Sequence, residues 1–416
     1  MKRTILIVCG GIEAVHGIRR AREMGLHVVV SDGSPSAPGF ADADDALIAS
    51  TYDVAGTVSA AQDYARTKGP IHGVLSIGAD VPLTVASVAH ALGLPGLSLE
   101  AACIATDKLA MKQKLAEARI PIPWFSAVES AEHLGDLRTA RKALIVKPVD
   151  SRGSRGVVRL TESVDTAWAF EQAREISPTR RVMAEAYLDG PQVSTESVIL
   201  GQDILTPGFA DRNYELIERY APYFIENGGD QPSVLQPPIQ DDVRRTVALA
   251  AHALGFTVGT VKGDVVVHQG RAHIIELAPR LSGGYFCTLE IPLNTGVDFV
   301  GLAIKAALGD HISHAEATPK LQRAVVQRYL FPEPGRILSI TGVEEARRMP
   351  GVEHLILSRG VGDVTHTTKD TTSRSAMVIT TGIDVAEARA RAEAAINRIE
   401  ITTDSQRPRE RRAEAG

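Results

Sequence analysis

The segment VKGDVVVHQGRAHIIELAPR, residues 261–280, contains two runs of β-forming residues separated by Gln269 and Gly270. Two such runs joined by a two-residue turn are typical of a β-hairpin, so this part of the chain is predicted to lie in an antiparallel sheet. Asp264 lies in the first run and Glu276 in the second, an even number of positions apart. We expect the two carboxylates to face the same side of the hairpin and to approach each other.

These two carboxylates are the candidate metal ligands. Neighbouring carboxylates repel each other, and a bound cation relieves the repulsion. Mg²⁺ typically takes one or two carboxylates together with substrate phosphates and water. Glu276 follows Ile274 and Ile275 and precedes Leu277, which favours a buried setting. Two solvated acids on an exposed face are the alternative interpretation.

The hairpin is followed by a candidate anion-binding residue, Arg280, which precedes a flexible turn at Gly283 and Gly284. A planar guanidinium binds carboxylate or phosphate through two parallel hydrogen bonds. Arg280 therefore suits an oxyanion clamp, and an ordinary surface salt bridge explains it equally well.

A second candidate anion site lies upstream, where the run ALIVKP predicts a strand that ends at Lys147. The strand continues into KPVDSRGSRGVV, residues 147–158, a loop rich in glycine and serine. Backbone N–H groups of such a loop can close over phosphate oxygens, so the sequence predicts a phosphate-binding lid. A common surface loop is the alternative. The candidate lid residues are Ser151, Gly153, Ser154 and Gly156.

The N-terminal region alternates short β-branched runs with helical stretches, which predicts βαβ units and a doubly wound parallel sheet. Its first strand runs into Gly10 and Gly11, and its second ends at Asp32. An acidic residue in that position suits a dinucleotide-binding site, but the next glycine is Gly17, so the G-x-G-x-x-G pattern is absent. A nicotinamide-dependent dehydrogenase is therefore the least favoured of the functions that we consider.

Changes in the sequence pattern divide the chain into three predicted domains and a tail, of mixed α/β and α+β class. The predicted units are a Rossmann-like domain at 1–105, a central domain at 106–314 with a lid subdomain at about 120–188, a small α+β domain at 315–405 and a charged, frayed tail at 406–416.

Composition excludes several classes of function. The 416 residues carry 45 basic and 50 acidic side chains, a net charge of −5, which provides no extended basic field for nucleic acid or an anionic membrane. Three widely separated cysteines indicate neither a zinc site nor disulfides, and no apolar run is long enough to span a bilayer. We therefore expect a cytoplasmic enzyme that acts on small molecules.

The order of the motifs resembles that of the ATP-grasp superfamily: Asp107 and Lys108, then Lys147 with its loop, then EAYLDG from Glu185, and finally the hairpin with Arg280. The N-terminal sheet resembles the pre-ATP-grasp domain, and the last unit is similar to the C-terminal domains of biotin carboxylase and glycinamide ribonucleotide synthetase. The segments TDKLAMKQKL, ELAPRLSGGYF and FPEPGRILSITGVEEARRMPGV look most like the amino-acid ligases that make dipeptides.

This resemblance implies a role for each candidate residue. Lys108 and Lys147 would contact the phosphates of ATP beneath the lid. Lys147 and Arg280 are the implied catalytic residues, and Arg280 would steady the transferred phosphoryl group. The remaining implied roles are adenine recognition by Glu185 and by the backbone of Ala186 and Leu188, and binding of Mg²⁺, with Mn²⁺ as an alternative, by Asp264 and Glu276.

The chain departs from the family pattern at three positions. Ala278 stands where many members have a metal-binding asparagine, so the number of Mg²⁺ ions is left open. Asp264 stands where glutamate is usual, and Gln192 where related ligases tend to have glutamate.

The implied activity is ATP-dependent ligation of a carboxylate to an amine through an acyl phosphate, with release of ADP and phosphate. A carboxylase that uses bicarbonate and a noncatalytic nucleotide-binding protein are the alternatives. The expected partners are a carboxylic acid and an amine, both amino acids, in a homodimeric enzyme. We expect the acid near segment 208–229, whose aromatic side chains either line a pocket or belong to the core: Tyr214, Tyr220, Tyr223 and Phe224.

Overall fold

The structure, a computed structural model, describes residues 2–141 and 143–406. The predicted tail therefore lies outside the described residues except for residue 406. The strands are β1 Thr4–Val8, β2 His27–Asp32, β3 Asp45–Ile48, β4 Gly73–Ser76, β5 Phe125–Val128, β6 Leu144–Pro148, β7 Val158–Leu160, β8 Val182–Ala186, β9 Gln192–Leu200, β10 Asp203–Arg212, β11 Gly229–Gln231, β12 Thr260–His268, β13 Arg271–Ala278, β14 Ala324–Leu330, β15 Gly335–Thr341, β16 Val352–Leu357, β17 Val364–Thr365, β18 Ala376–Gly382 and β19 Glu400–Thr403. The α-helices are α1 Val15–Glu23, α2 Val54–Thr67, α3 Pro82–Leu92, α4 Leu99–Thr106, α5 Lys108–Glu117, α6 Ala131–Ala140, α7 Thr166–Ile176, α8 Pro237–Ala253, α9 Ile291–Thr295, α10 Phe299–Ala307, α11 His314–Ala317, α12 Val343–Arg347 and α13 Val385–Arg398.

The N-terminal domain is a parallel four-stranded sheet in the order β3-β2-β1-β4. Every residue of β1 is buried, as expected for a central strand that is covered on both faces. Ile5 and Ile7 point into a core shared with α1 and α10, whereas Leu6 and Val8 point into a second core shared with α2 and α3. The predicted doubly wound sheet is confirmed, and one of its covering helices, α10, comes from much later in the chain.

The lid is a small antiparallel sheet in the order β5-β8-β6-β7. The helices α6 and α7 contribute Leu134, Ala169 and Phe170 to a core on one face of this sheet. Lys147 lies near the end of β6 and Glu185 near the end of the neighbouring strand β8. This pairing brings the two predicted nucleotide-binding segments side by side.

The largest element is an eight-stranded sheet in the order β13-β12-β9-β10-β11-β14-β18-β16. It runs from the central domain into the C-terminal unit through the short strand β11, where Asp230 pairs with Val326 of β14. The helix α8 covers the end of the sheet that β13 and β12 form. The C-terminal helix α13 covers the far end, beside a three-stranded sheet in the order β17-β15-β19. The last unit is therefore joined to the central domain by backbone hydrogen bonds.

The predicted hairpin is present as β12 and β13, but it contains an irregularity that the sequence did not reveal. Regular pairing extends from the turn as far as Val265 with Ile274, and its continuation would pair Asp264 with Ile275. Instead Asp264 pairs with Glu276, because Ile275 is the extra residue of a β-bulge. The bulge puts the two carboxylates opposite each other; in a regular two-residue hairpin they would lie on opposite faces.

Within the described residues, no helix combines the length and the apolar character that crossing a membrane requires.

Candidate active site

A cleft of about 570 Å³ opens between the lid and the large sheet. The N-terminal domain contributes Glu13 and Asp80 to its wall, and the C-terminal unit contributes Tyr329 and Arg374. All the sequence-predicted site residues but Gly156 line this cleft: Lys108, Lys147, Ser151, Gly153, Ser154, Glu185, Ala186, Leu188, Asp264, Glu276 and Arg280.

Gly156 lies behind the cleft wall, where its φ of +75° is one that glycine adopts without strain. A Cβ at this position would come within 2.8 Å of Cγ of Pro148. The structure therefore gives Gly156 a role in the path of the loop and no direct contact with the cleft.

Two lysines neutralise a buried carboxylate at the lid side of the cleft. Nζ of Lys147 donates to Oε1 of Glu185 at 2.6 Å, and Nζ of Lys112 lies 3.1 Å from Oε2. Burial opposes ionisation of Glu185, but Lys112 and Lys147 together keep its pKa below the ordinary value. The cluster carries a net positive charge, which suits binding of a polyphosphate.

Lys112 is buried beside the cleft residue Glu185 and was not predicted from the sequence. Its ammonium is buried, it also donates to the carbonyl oxygen of Ile274 at 3.1 Å, and burial lowers its pKa to about 8. The signal was its spacing, because Lys112 follows Lys108 by one helical turn in α5 and therefore lies on the same face.

Lys108 connects the lid loop to the hairpin. Its Nζ donates to the carbonyl oxygen of Ser151 at 2.5 Å and lies 3.6 Å from Oε1 of Glu276. One ammonium thus touches the predicted phosphate loop and one of the two predicted metal ligands.

Asp264 is neutralised by cations of the chain itself. Nη1 of Arg212 lies 2.8 Å from its Oδ1, and Lys262 forms an ion pair with its Oδ2. Burial opposes ionisation, but Arg212 and Lys262 hold the pKa of Asp264 far below the ordinary value. The sequence predicted that the repulsion between Asp264 and Glu276 would require a metal ion; the structure instead gives each carboxylate a neighbouring cation.

The hairpin nevertheless has the donors that a magnesium ion in a nucleotide complex needs. The described residues contain no cluster of three or more histidine, cysteine, aspartate or glutamate side chains that could hold a metal alone. Mg²⁺ bound to nucleotide takes only one or two carboxylates from the protein, and two hard oxygen donors face each other across the bulge at Asp264 and Glu276. The residues therefore fit Mg²⁺ that arrives with phosphates.

Arg280 lies on the loop that follows β13. Its Nε lies 3.6 Å from Oδ1 of Asp80 in the N-terminal domain. This Nε has no hydrogen-bond partner among the residues that the structure describes. The loop is fixed directly after Arg280, because Leu281 bridges to Ile77 and the N–H of Ser282 donates to the buried Glu196 at 2.6 Å. Arg280 thus presents a buried donor on a fixed backbone, an arrangement that suits an anion.

The aromatic side chains of segment 208–229 divide into two groups. Tyr214 and Phe224 line the cleft and contact each other edge to face, with ring centroids 6.1 Å apart. Tyr220 packs on Phe331, and Tyr223 packs on Trp168. The pocket prediction therefore agrees with the structure for the first pair, whereas the second pair packs against other parts of the protein.

The lid loop touches both neighbouring domains. Oγ1 of Thr371, in the C-terminal unit, donates to the carbonyl oxygen of Gly153 at 3.1 Å. The guanidinium of Arg152 lies over the ring of Tyr52 in the N-terminal domain, 4.6 Å from its centroid. The lid is therefore held over the cleft from two sides.

Two family models match the chain. An ATP-grasp domain matches residues 105–284, and L-amino acid ligase C-terminal domain 2 matches residues 328–404. The uncharacterized protein y4rH of Sinorhizobium fredii is 24% identical over 365 residues, which is 85% of this chain and 73% of that protein. The carbamoyl phosphate synthase large chain of Thermomicrobium roseum is 27% identical over 251 residues, 57% of this chain but only 22% of the relative.

Several solved structures share the whole fold. L-amino acid ligase from Bacillus licheniformis superimposes with a TM-score of 0.80 at 19% identity, covering 97% of this chain and 99% of that one. Phosphoribosylglycinamide synthetase from Anaerococcus prevotii superimposes with a TM-score of 0.73 at 16% identity, covering 97% of this chain and 100% of that one. Biotin carboxylase from Campylobacter jejuni superimposes with a TM-score of 0.71 at 19% identity, covering 97% of this chain and 92% of that one. The predicted fold class is confirmed.

Proposed function

Because the chain is an ATP-grasp enzyme with the C-terminal domain of the L-amino acid ligases, we propose that it joins a carboxylic acid to an amine through an acyl phosphate and releases ADP and phosphate. The observation that carries this proposal is the contact set of Lys108, which joins the lid loop at Ser151 to Glu276 on the bulged hairpin. The groups that we propose for phosphate and for the metal are thus linked by one ammonium group.

In this proposal the nucleotide enters the cleft with its phosphates toward the lysines. Lys108 and Lys147 bind the phosphates, and the backbone of Ala186 and Leu188 lies where it can read the adenine edge. Glu185 is already paired with two lysines, so we propose that its main effect is to hold Lys147 in position. Such fixed charges act on phosphoryl transfer mainly through positioning and charge stabilisation.

Asp264 and Glu276 would hold Mg²⁺, which supplies charge neutralisation for the transferred phosphoryl group. Arg280 faces the same part of the cleft, and we propose that it binds the phosphoryl oxygens of the acyl phosphate. The lid excludes water, because an acyl phosphate in contact with water would hydrolyse before the amine attacks. The contact between Thr371 and Gly153 holds the lid in that closed position.

We propose amino acids for both substrates. Support comes from the match of residues 328–404 to the L-amino acid ligase domain and from the mixed charges of the cleft, which offers both guanidinium and carboxylate groups. A carboxylase that uses bicarbonate is the second candidate, since the same fold is found in the biotin carboxylase from Campylobacter jejuni.

An ADP-release screen tests this function. Amino acids are supplied singly and in pairs with Mg-ATP, and products are identified by mass spectrometry. We expect ADP and an amide product with one pair, and we expect hydroxylamine to intercept the activated acid as a hydroxamate. Bicarbonate-dependent ADP release without amino acids would favour the carboxylase, and formation of AMP and pyrophosphate would overturn the acyl-phosphate chemistry.

A further inference from the structure

Glu290 is a buried carboxyl group on the cleft wall for which the proposed phosphoryl transfer has no use. It ends the π-helical turn Phe286–Glu290, ten residues after Arg280, and only 2% of its surface is exposed. Its Oε2 accepts a hydrogen bond from Nε2 of Gln231 at 2.9 Å. Glu290 also lines the cleft, so this carboxyl group is buried in the protein but borders the substrate space.

Arg374 is a guanidinium on the same wall, contributed by the C-terminal unit. It stacks over the ring of Tyr329, with Cζ 3.8 Å from the ring centroid, and its Nη2 donates to the carbonyl oxygen of Glu226 at 3.2 Å. Its Nε is buried and has no hydrogen-bond partner among the described residues. Arg374 therefore keeps unused donor capacity inside the cleft.

Arg374 lies beside the turn that follows Arg280. Gln327 and Tyr329 both donate to the carbonyl oxygen of Gly284, at 2.6 and 3.3 Å. A Cβ built on Gly284 would be 3.8 Å from Nη1 of Arg374. The guanidinium is thus next to the loop on which the proposed acyl phosphate would form.

We propose that Glu290 and Arg374 form the subsite for the amine substrate, in which Arg374 binds a carboxylate of that substrate and Glu290 accepts a proton from its attacking nitrogen. The proposal rests on the ligase function proposed above. It assigns the amine to the side of the cleft that the C-terminal unit closes, and it selects amines that carry a carboxylate.

The amine needs a nearby base, because its nitrogen must lose a proton before it can attack. The ammonium of the substrate gives one proton to Glu290, and its lone pair then attacks the carbonyl carbon of the acyl phosphate. The C–N bond forms, and the bond between the acyl carbon and the phosphate oxygen breaks with its electron pair leaving on phosphate. The second nitrogen proton goes to the departing phosphate, which leaves as hydrogen phosphate.

The charges around Glu290 fit this role. Burial raises the pKa of Glu290 to about 8, although the hydrogen bond from Gln231 opposes the rise. Glu226 and Asp230 add to the rise, Arg374 opposes it, and the buried phenol of Tyr329 also faces the carboxyl. A base is most effective when its pKa lies near the working pH, and an incoming ammonium would favour ionisation of Glu290.

Hydroxylamine separates this proposal from the function on which it rests. It is small, largely uncharged at neutral pH and has no carboxylate, so it needs neither residue to attack the acyl phosphate. The experiment uses full-length protein, Mg-ATP and the amino acid pair that mass spectrometry identifies with the wild type. If the wild type forms no hydroxamate, the ligase function fails; the subsite is tested by the variants described next.

For Arg374→Ala we expect hydroxamate formation within about twofold of wild type and a KM for the amine substrate raised about 10- to 100-fold, as for loss of a hydrogen bond to a charged group. Arg374→Lys, which keeps the charge, should show a smaller rise. Arg347→Ala, on the exposed surface of the same unit, is the matched control. An unchanged KM in a folded Arg374→Ala protein would overturn the carboxylate assignment.

For Glu290→Gln we expect amide formation to fall by about 10²- to 10⁴-fold in kcat while hydroxamate formation persists. In the wild type, kcat/KM for the amine should rise as the pH increases through about 8, because the ionised form of Glu290 is the base. This rise should be absent from the residual activity of the variant and from the hydroxylamine reaction. Equal loss of both products, or a wild-type pH profile in the variant, would contradict the assignment.

Discussion

Asp264 and Glu276 are paired across the hairpin, but the chain surrounds them differently. Asp264 is 15% exposed and touches two cations, whereas Glu276 is 25% exposed and has one lysine at 3.6 Å. Removal of the Asp264 carboxylate would leave Arg212 and Lys262 as neighbouring, partly buried cations without their shared partner, and among the described residues only Arg212 would keep another ion pair, with Glu226. Substitution of Asp264 and substitution of Glu276 should therefore change the stability of the protein to different extents, even if both residues bind one ion.

We predict that Asp264→Asn lowers the free energy of unfolding by about 3 kcal/mol, whereas Glu276→Gln changes it by less than about 1 kcal/mol. The pKa of Asp264 is depressed in the folded protein, so its contribution is fully present above the unfolded pKa and is lost as the pH falls through the folded value. Thermal melts at pH 7 and near pH 3 measure this contribution. The difference in unfolding free energy between wild type and Asp264→Asn should be smaller at the acidic pH.

Both substitutions should also abolish ADP formation and reduce stabilisation by Mg-ATP, because they remove the oxygen donors that we propose for one Mg²⁺ ion. Equal melting temperatures for the two variants at pH 7 would contradict the ion-pair account. Normal turnover by Glu276→Gln would mean that the metal is bound elsewhere.

The order of the motifs was sufficient to predict a set of residues that, apart from Gly156, line the cleft, whereas the local geometry of these residues could not be predicted. The even spacing of Asp264 and Glu276 puts them opposite each other only because the bulge at Ile275 shifts the register, and nothing in the run of β-forming residues identifies that bulge. Lys112 and Arg212 were missed because a lysine within a helix and an arginine at the end of a strand are ordinary in sequence. Their importance comes from burial beside Glu185 and Asp264, which depends on tertiary packing.

At the level of elements, the lid loop is closed by contacts that short sequence motifs do not encode. The hydroxyl of Thr371 donates to the carbonyl oxygen of Gly153, and these residues are far apart in the sequence. Gly153 and Ser154 both have positive φ, at 66° and 58°, so the loop conformation is specific. We expect this conformation to protect the acyl phosphate from water.

We predict that Thr371→Val uncouples ATP hydrolysis from ligation. The variant loses the hydroxyl donor to Gly153 and keeps only the longer backbone N–H contact at 3.4 Å, while the shape of the side chain is unchanged. The lid should therefore open more often, and water should reach the intermediate. The ratio of ADP to amide product should rise about two- to tenfold, as expected for loss of about one hydrogen bond. Thr371→Ser, which keeps the hydroxyl, is the matched control and should retain a ratio close to wild type. A ratio near one for Thr371→Val would show that this contact does not govern closure.

The extent of the large sheet could not be predicted from the sequence patterns of its individual strands. The alternating pattern of β1 to β4 and the turn at Gln269 and Gly270 were sufficient to predict a parallel sheet and a hairpin. The C-terminal strands were expected in a separate unit, but β14, β18 and β16 continue the central sheet through β11. The linking strand is only Gly229–Gln231, too short to produce a strand pattern in the sequence.

At the level of the whole molecule, four parts of the chain meet at one cleft. The lid brings Lys147 and Glu185, the hairpin brings the two carboxylates, the N-terminal domain brings Asp80 next to Arg280, and the C-terminal unit brings Arg374. The domains are also interleaved, since α10 follows the hairpin in sequence and packs on the N-terminal sheet. This arrangement explains how distant motifs form one site, and it supports a reaction that needs a nucleotide, an acid and an amine together.

Activation of the carboxylate as an acyl phosphate can be followed by transfer of an oxygen isotope from the acid to phosphate. The acid substrate is labelled with ¹⁸O in its carboxylate and supplied with Mg-ATP and the amine, and the phosphate released is examined by mass spectrometry. We expect each phosphate formed with the amide to carry one ¹⁸O atom, because the carboxylate oxygen that bonds to phosphorus leaves with it. Unlabelled phosphate, or label in AMP, would contradict activation as an acyl phosphate.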